Sequence, residues 1–318
     1  MDQDKVIKEK VSDRFEAFKK ATHFVVKPEF PRELLIEVTN HCNHACTFCA
    51  HRMMTRPKGV MALDLYVRLI EQAYQTGSRE IGLYAGAEPL LCKELEQFVS
   101  EAKRIGYEYI YTTTNGTGAG HDRIKRIIDA GLDSIKFSVN GGTREVYQAV
   151  HGEDHFDRVL ETIRFVDGYR KENKLDLKLF ISFVATDESR PSFTQLKETI
   201  GAYVDDFYLI TAVNVSGQNP ELPIATFDPH CALPFNRISI SYEGYMRVCC
   251  NDYQNLLTTE DLSSMSMLEA WNSPRMQEIR RQHLEDDWSP NLCRNCVTGD
   301  NSEVEPLNPE LSKHPMIR

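Results

Sequence analysis

Strand-like and helix-like segments alternate along most of the chain, and this alternation strongly limits the folds that it can adopt. Apolar runs predict six buried strands, at residues 34–38, 80–84, 109–113, 132–139, 177–184 and 207–213. Helical periodicity follows at 63–75, 94–105, 121–130, from 144, at 156–170 and around 192–202. Repeated strand–helix units favour a parallel sheet with right-handed crossovers. Six units are too few for a closed eight-stranded barrel, so we predict an α/β fold, a partial (β/α)6 barrel.

Thiol and polar residues come directly after several of these predicted strands. They are Cys42, Cys46, Cys49, Glu88, Asn115 and Asn140. In barrels of parallel strands the functional site lies at the carboxyl ends of the strands. The sequence therefore predicts a site at this edge of the sheet.

Cys42, Cys46 and Cys49 form a C-x3-C-x2-C motif on the loop after the first strand. A [4Fe–4S] cluster that only carries electrons takes four thiolates, so three leave one iron open to a substrate. The alternatives are unrelated thiols or a zinc knuckle, which needs a fourth ligand. Three nearby histidines offer such a ligand: His41, His44 and His51.

The motif resembles that of the radical S-adenosylmethionine (AdoMet) superfamily, whose open iron chelates the amino and carboxylate groups of AdoMet. Gly86-Ala87-Glu88-Pro89 is similar to the family's Gly-Gly-Glu-Pro segment, with Ala87 as a departure. The resemblance implies that Gly86 and Glu88 hold the amino group and that Phe48 packs on adenine, unless Phe48 only fills the core. It also implies polar contacts to AdoMet from three residues: Asn115, Ser138 and Asn140. At the position of His151-Gly152 many relatives have an arginine before the glycine.

From about residue 220 the alternation ends and five more cysteines appear: Cys231, Cys249, Cys250, Cys293 and Cys296. Segments 237–242 and 245–248 predict a β-hairpin around Glu243-Gly244, and helices are predicted at 267–271 and 273–284. Four thiolates on separated loops suit an auxiliary [4Fe–4S] cluster without an open iron. The alternative, a zinc site, usually shows two C-x2-C knuckles, and this segment has one.

This arrangement resembles the twitch domain, the shortened relative of the SPASM domain. The resemblance implies four auxiliary ligands, Cys231, Cys250, Cys293 and Cys296, with Cys249 as the alternative to Cys250. The spacing of these cysteines is similar to that of two aminoglycoside-pathway members, the butirosin dehydrogenase and the neomycin epimerase. Cys92 is predicted to pack in the core rather than to act in chemistry.

Five cysteines for four ligands leave one thiol spare in this second segment. Neighbouring residues on a strand face opposite sides, so the spare thiol is expected to face the barrel. There it can return a hydrogen atom to a carbon radical, as an epimerase requires, whereas a dehydrogenase needs an electron sink and a base. Resemblance to the epimerase favours Cys249 as the hydrogen donor, with Cys250 as the alternative. The spare thiol can also be a small buried hydrophobic residue.

Composition and charge limit the class of protein and its partners. Hydrophobic residues at 41% and charged residues at 26% are ordinary for a soluble enzyme, and no apolar run is long enough for a membrane span. The net charge of −10 disfavours a nucleic-acid substrate. It is compatible with a small polycationic amino sugar, although an acidic balance more often reflects only a solvated surface. Nine cysteines without a signal-like segment indicate metal ligation in a reducing cytoplasm.

The expected domains are an N-terminal helical extension (1–32), a radical AdoMet partial barrel (33–219) and an auxiliary-cluster domain with its tail (220–318). The resemblance implies two [4Fe–4S] clusters, AdoMet and an external electron donor of the flavodoxin or ferredoxin type. The leading expectation is radical epimerisation of a carbon in an aminoglycoside. Dehydrogenation of an aminoglycoside alcohol, radical modification of a ribosomal peptide and a non-catalytic metal-binding interaction module are the alternatives.

Overall fold

The structure is a computed structural model that describes residues 10–312; the first part of the predicted N-terminal extension, residues 1–9, falls outside that range. The described strands form one nine-stranded sheet. They are β1 Glu33–Ile36, β2 Glu80–Gly82, β3 Tyr109–Thr114, β4 Ser134–Ser138, β5 Lys178–Ala185, β6 Asp206–Thr211, β7 Arg237–Ile240, β8 Tyr245–Arg247 and β9 Thr258–Asp261.

Helices alternate with strands β1 to β6 as the sequence predicts, whereas the short α8 and the helix α11 were not predicted. They are α1 Val11–Lys20, α2 Leu63–Thr76, α3 Leu95–Ile105, α4 His121–Asp129, α5 Arg144–His151, α6 Phe156–Glu172, α7 Phe193–Ile200, α8 Leu233–Asn236, α9 Met267–Trp271, α10 Pro274–Glu285 and α11 Leu292–Thr298. Strands β1 to β6 are all parallel and lie in sequence order. The predicted α/β partial barrel is therefore confirmed.

The second segment continues the barrel sheet. Strand β7 pairs in parallel with β1, with Glu33 opposite Arg237, and β8 and β9 follow as antiparallel strands. The predicted hairpin is present as β7 and β8, whereas the short polar strand β9 was not predicted. Because β7 adds to the edge of β1, the cysteines of the second segment are built onto the strand that leads to the Cys42–Cys49 loop.

Helices cover the outer face of the sheet because each has an apolar stripe. In α2 that stripe is Tyr66, Leu69, Ile70 and Ala73, all buried. The ring of Tyr66 packs on Phe98 of α3 at 4.5 Å between centroids. The core thus lies between the sheet and the helices, and the inner face of the barrel is left for polar side chains.

Helix α1 lies across the amino-terminal ends of the strands. Its Arg14 donates to Glu80 at 2.7 Å and lies 4.1 Å from the ring centroid of Tyr109. Glu33 is held by Arg237 of β7 and by the hydroxyl of Tyr111. These pairs neutralise the buried charges at this end and leave the opposite, carboxyl end of the strands open for a site. Within residues 10–312, no helix has the length and apolar character needed to cross a bilayer.

Candidate functional site

Cys42, Cys46 and Cys49 lie together on the loop that follows β1. Burial raises the pKa of the Cys42 thiol to about 12. Burial also raises the pKa of Cys46, and the charges of Cys49 and Cys42 raise it further. These thiols therefore stay protonated in the protein alone, and a metal centre that binds among them would deprotonate them.

The spacing of the sulfurs distinguishes a cluster from a single zinc ion. Tetrahedral zinc with bonds of about 2.3 Å would hold its sulfurs about 3.8 Å apart. Within residues 10–312, the one group of histidine, cysteine or carboxylate atoms all within 4.8 Å of one another is His44, Cys46 and His151. Cys42, Cys46 and Cys49 do not meet this criterion, so at least one pair of their sulfurs is more than 4.8 Å apart, which fits a larger group such as an iron–sulfur cluster.

His151 is a hydrogen-bond donor to Cys46 rather than a metal ligand. Its Nε2 accepts the backbone N–H of Asn140 at 3.0 Å, and burial holds the pKa of His151 well below its ordinary value. The ring is therefore neutral with its proton on Nδ1, which lies 3.5 Å from Cys46 Sγ and 3.2 Å from His44 Nδ1. A protonated nitrogen has no lone pair for a metal, so the trio is a hydrogen-bonded group.

The sequence singled out His151 only as a departure from an arginine. The structure gives it a place at the centre of the site: its ring stacks on Tyr147 at 4.0 Å and meets Phe48 edge-on at 6.1 Å. Gly152, at φ +73°, brings the chain close to Ala45, where an added Cβ would lie 3.1 Å from the carbonyl oxygen. This contact holds the end of α5 against the cysteine loop.

Glu88 connects the loops after β2 and β3. Its carboxylate accepts hydrogen bonds from Thr114 Oγ1 and the Asn115 N–H, both at 2.6 Å, and from the Leu90 N–H at 2.9 Å. Its own N–H donates to the carbonyl of His41 at 2.9 Å. Burial raises the pKa of Glu88 to about 7, although the hydrogen bonds from Thr114, Asn115 and Leu90 act to lower it. Glu88 thus organises three loops, and its contact with the amino group of AdoMet remains a prediction.

The other predicted AdoMet contacts gather at the same edge. Asn115 Nδ2 donates to Asn43 Oδ1 at 2.9 Å, which ties the third strand to the cysteine loop. Asn140 Oδ1 accepts the N–H of Val184 at 2.6 Å, and its Nδ2 donates to Ser138 Oγ at 3.1 Å. Phe48 lies within the cysteine loop and Gly86 lies against the ring of Tyr253, and the roles of all these residues stay predictions.

Tyr253 was missed by the sequence interpretation. Its hydroxyl lies 3.7 Å from Cys49 Sγ, and its ring covers Gly86, where an added Cβ would lie 2.8 Å from the ring. Gly86 also has φ +61°, so a larger residue would be strained there twice over. A cluster-bound Cys49 has no proton, so the Tyr253 O–H must be the donor. One feature of the sequence could have indicated this role: Tyr253 follows the Cys249-Cys250 pair by only three residues.

The five later cysteines meet, but not on loops as expected. Cys293 and Cys296 lie on α11, three residues apart and so on one face of the helix. Burial raises the pKa of Cys231 to about 11, with further increases from the charges of Cys296 and Cys250. The prediction of separated loops is wrong for Cys293 and Cys296, because Asn291 caps a helix that contains both.

Cys249 and Cys250 do not face opposite sides as strand neighbours would. Strand β8 ends at Arg247, and the chain turns so that the Asn251 N–H donates to Cys249 Sγ at 3.3 Å. The Cys249 thiol hydrogen-bonds to Cys250, and this bond, helped by the charges of Arg237 and Arg247, holds the pKa of Cys250 below its ordinary value. Cys249 also packs against the hydrophobic core.

A buried arginine joins the two cysteine regions. Arg56 Nη2 donates to Glu37 Oε2, just after β1, and to Glu243 Oε2 in the β7–β8 turn, both at 2.7 Å. Its Nη1 reaches the carbonyl of Tyr253 at 3.4 Å. One side chain thus fixes the cysteine loop, the hairpin and the segment that contains Tyr253 relative to one another.

Comparisons with known proteins agree with this geometry. Residues 36–181 match the model of the Radical SAM superfamily, and residues 231–297 match the SPASM domain, an iron–sulfur cluster-binding domain. The chain therefore carries a radical SAM domain, which contains the Cys42–Cys49 loop, followed by a SPASM domain with all five later cysteines. These domains imply a [4Fe–4S] cluster with AdoMet and a further iron–sulfur cluster, so the predicted cofactors are confirmed.

The individual proteins that this chain is similar to share little sequence identity with it. A curated protein of Saccharolobus solfataricus, "Probable GTP 3',8-cyclase", is 28% identical over 184 residues, 56% of each chain. This chain thus spans about half the length of that relative. BtrN in complex with AdoMet and 2-DOIA has a TM-score of 0.59 at 18% identity, covering 86% of this chain and 97% of BtrN. Streptococcus suis SuiB bound to precursor peptide SuiA has a TM-score of 0.66 at 14% identity, covering 86% and 73%. Both structures show the fold alone.

Proposed function

We propose that this chain is a radical AdoMet enzyme that acts on an unactivated C–H bond. The observation that carries the proposal is the trio Cys42, Cys46 and Cys49, gathered at the carboxyl edge of a parallel barrel without a fourth cysteine in the loop. The cluster, when bound, would supply the electron that cleaves AdoMet and so the carbon radical that abstracts hydrogen. An external flavodoxin- or ferredoxin-type protein in the cytoplasm would provide that electron.

The residues around the loop would hold AdoMet and exclude water. Glu88 would accept the ammonium group, Gly86 allows the backbone to approach, and Phe48 would pack on adenine. Asn115, Ser138 and Asn140 would make the remaining polar contacts. Support comes from the hydrogen bonds that fix Glu88, Asn115 and Asn140 before any ligand arrives, because preorganised groups lose little entropy on binding.

The proposed reaction is epimerisation, with Cys249 as the hydrogen donor. Five cysteines for four auxiliary ligands leave one thiol, and Cys249 lies beside Cys250 on the segment leading to Tyr253, whose hydroxyl contacts Cys49. The Cys249 S–H bond would break as a C–H bond forms on the substrate, with Cys231, Cys250, Cys293 and Cys296 ligating the auxiliary cluster. Cys250 is the alternative donor. The proposed substrate is an aminoglycoside-like amino sugar, and the reaction would invert one of its carbons.

Anaerobic reconstitution with AdoMet and dithionite tests the proposal, since formation of 5′-deoxyadenosine separates an enzyme from a non-catalytic metal-binding module. A panel of aminoglycosides and peptides in heavy water then tests the reaction. Because a thiol proton exchanges with solvent, an epimerised product gains one non-exchangeable deuterium, whereas a dehydrogenated alcohol is lighter by two hydrogens. Cys249→Ala should keep AdoMet cleavage and lose epimerisation. If it epimerises with deuterium incorporation, the same test passes to Cys250→Ala.

One observation favours radical modification of a peptide as the second candidate. Among the strands of residues 10–312, β6 pairs only with β5, and its Leu209 and Ile210 are 42% and 37% exposed. An extended peptide can add to such an edge through main-chain hydrogen bonds. Peptides in the panel that stimulate 5′-deoxyadenosine formation, where aminoglycosides do not, would support this reaction instead.

A further inference from the structure

The barrel encloses a cavity of about 280 Å³ between helix α1 and the middle of the strands. Paired charges line its amino-terminal part, where Arg14 contacts Glu80 and Arg237 contacts Glu33. Further along the strands the lining also includes Tyr84 and Lys136. The volume is close to the lower end of small-molecule pockets, about 300 Å³.

The charges in this cavity do not cancel. Among the described residues that line it, Arg14, Arg32 and Arg237 each lie within 4 Å of a carboxylate, and Glu33 and Glu80 are both engaged by arginine. Lys136 is the one lining cation of the described chain for which no ion pair or hydrogen bond is formed. Its ammonium has only aromatic faces nearby, with ring centroids at 5.7 Å for Tyr84 and 5.9 Å for Tyr208.

A second unused group lies beside Lys136. Thr113 is its partner in the parallel β3–β4 register, so both side chains project from the same face of the sheet. Thr113 Oγ1 is buried and has no hydrogen-bond partner within residues 10–312. A buried hydroxyl without a partner costs free energy, and a ligand that accepts its proton would recover that cost. A lysine without an ionic partner and a threonine with an unsatisfied hydroxyl thus occupy paired positions on one face of the sheet.

We propose that Lys136 and Thr113 bind an acidic group of the substrate, a carboxylate or a similar oxyanion, inside the barrel. This inference rests on the proposed function, because it treats the barrel interior as the substrate chamber. One oxyanion can accept from both the ammonium and the hydroxyl, which neutralises the charge and satisfies both donors. A purely cationic amino sugar would place its ammonium groups beside Lys136, with repulsion. The proposed amino-sugar substrate would therefore carry an acidic group as well; in the second candidate reaction an acidic side chain of the peptide would take its place.

The test compares matched probes on the reconstituted full-length enzyme with AdoMet and no reductant. Ligand-observed NMR would measure binding of D-glucuronate, D-glucose and D-glucosamine, and of the N-acetyl amides of glutamate and glutamine. Wild type should bind at least one carboxylate probe about 10- to 100-fold tighter than its uncharged partner. Lys136→Met should remove this preference, Lys136→Arg should keep it, and Thr113→Val should reduce it severalfold.

Lys125→Met is the matched control. Lys125 also lies between two rings, 5.6 Å from Phe165 and 5.5 Å from Tyr169, but on a helix that covers the outside of the barrel. The Lys125→Met change should leave the preference for carboxylate probes unchanged. A preference confined to glucuronate identifies an acidic sugar, and one confined to the glutamate derivative identifies a peptide.

Equal binding of charged and uncharged probes by wild type would overturn the inference, as would an unchanged preference in Lys136→Met. Weaker binding of AdoMet, rather than of the probes, in Lys136→Met would also overturn it by assigning Lys136 to the cofactor. Failure of the proposed function is seen separately, as absence of 5′-deoxyadenosine when dithionite is added to wild type.

Discussion

The two cysteine regions of this protein are assembled in different ways. Cys42, Cys46 and Cys49 belong to one short loop, whereas the later cysteines come from three segments: the loop that leads into α8, the turn after β8 and helix α11. The spacing of the first three cysteines (the first set) is fixed by neighbouring residues of the sequence. The later cysteines (the second set) come together only when distant parts of the chain fold. Metal at the second site should therefore contribute to folding, and metal at the first should contribute mainly to chemistry.

The largest expected effect comes from breaking the first set. Cys46→Ala should reduce AdoMet cleavage below detection, because the remaining thiols cannot present an open iron. Iron should fall from about eight to about four per chain if both clusters are [4Fe–4S]. Quantifying 5′-deoxyadenosine and bound iron checks both. Cys92→Ala is the control, since Cys92 is buried in the core and should leave both values unchanged. Substantial cleavage by Cys46→Ala would rule out the assignment.

Breaking the second set should act on folding instead. The double change Cys293→Ala and Cys296→Ala should also halve the iron, yet keep AdoMet cleavage. Its unfolding midpoint in denaturant should be lower than that of Cys46→Ala, because three chain segments are no longer held together. Full iron content in this variant would mean that these cysteines ligate nothing.

This contrast also explains what the sequence could predict. The strand–helix alternation gave the barrel, and the Cys42–Cys49 spacing gave the first site, because both are local patterns. The helix that contains Cys293 and Cys296 was missed because its capping residue, Asn291, lies in a segment without a clear apolar period. The turn that brings Cys249 and Cys250 into contact was missed because the alternating pattern predicted a strand that continues beyond Arg247.

Contacts between distant residues were beyond the sequence. Nothing local indicates that Tyr253 reaches Cys49, that His151 donates to Cys46 or that β7 pairs with β1. These depend on how helices and strands pack, which single residues do not encode. Lys136 was passed over for the same reason: its lack of a carboxylate partner is a property of the folded cavity.

Substitution of Arg56 tests whether the two cysteine regions depend on each other for stability. Arg56→Met should lower the free energy of unfolding by about 3 kcal/mol, because the buried Glu37 would lose its hydrogen-bonded cation and keep only Arg247, at 3.6 Å. Arg52→Met is the matched control in the same loop; its ion pair with Glu221 is exposed to solvent and should matter by about 1 kcal/mol or less. Denaturant titration measures both, and equal losses would contradict a bridging role for Arg56.

The smallest expected effect concerns His151, which contacts only the first set. His151→Phe keeps a ring against Tyr147 but removes the N–H that points at Cys46 Sγ. Hydrogen bonds to cluster thiolates raise the reduction potential, so the variant should show a potential lower by about 60 mV, a tenfold change in a one-electron equilibrium. His121→Phe, stacked on Phe165 on the outer surface, is the control. Spectroelectrochemical titration that finds no change would mean the contact is only structural.

The most direct test of the difference between the two regions is electron paramagnetic resonance of two complementary variants, each reduced with and without AdoMet. In the variant that lacks Cys293 and Cys296, the remaining signal comes from the cluster on Cys42, Cys46 and Cys49, and AdoMet should change it by binding the open iron. In the variant that lacks Cys46, the remaining signal should not respond to AdoMet. A response in the second variant, or none in the first, would contradict the assignment of the AdoMet site to the loop after β1.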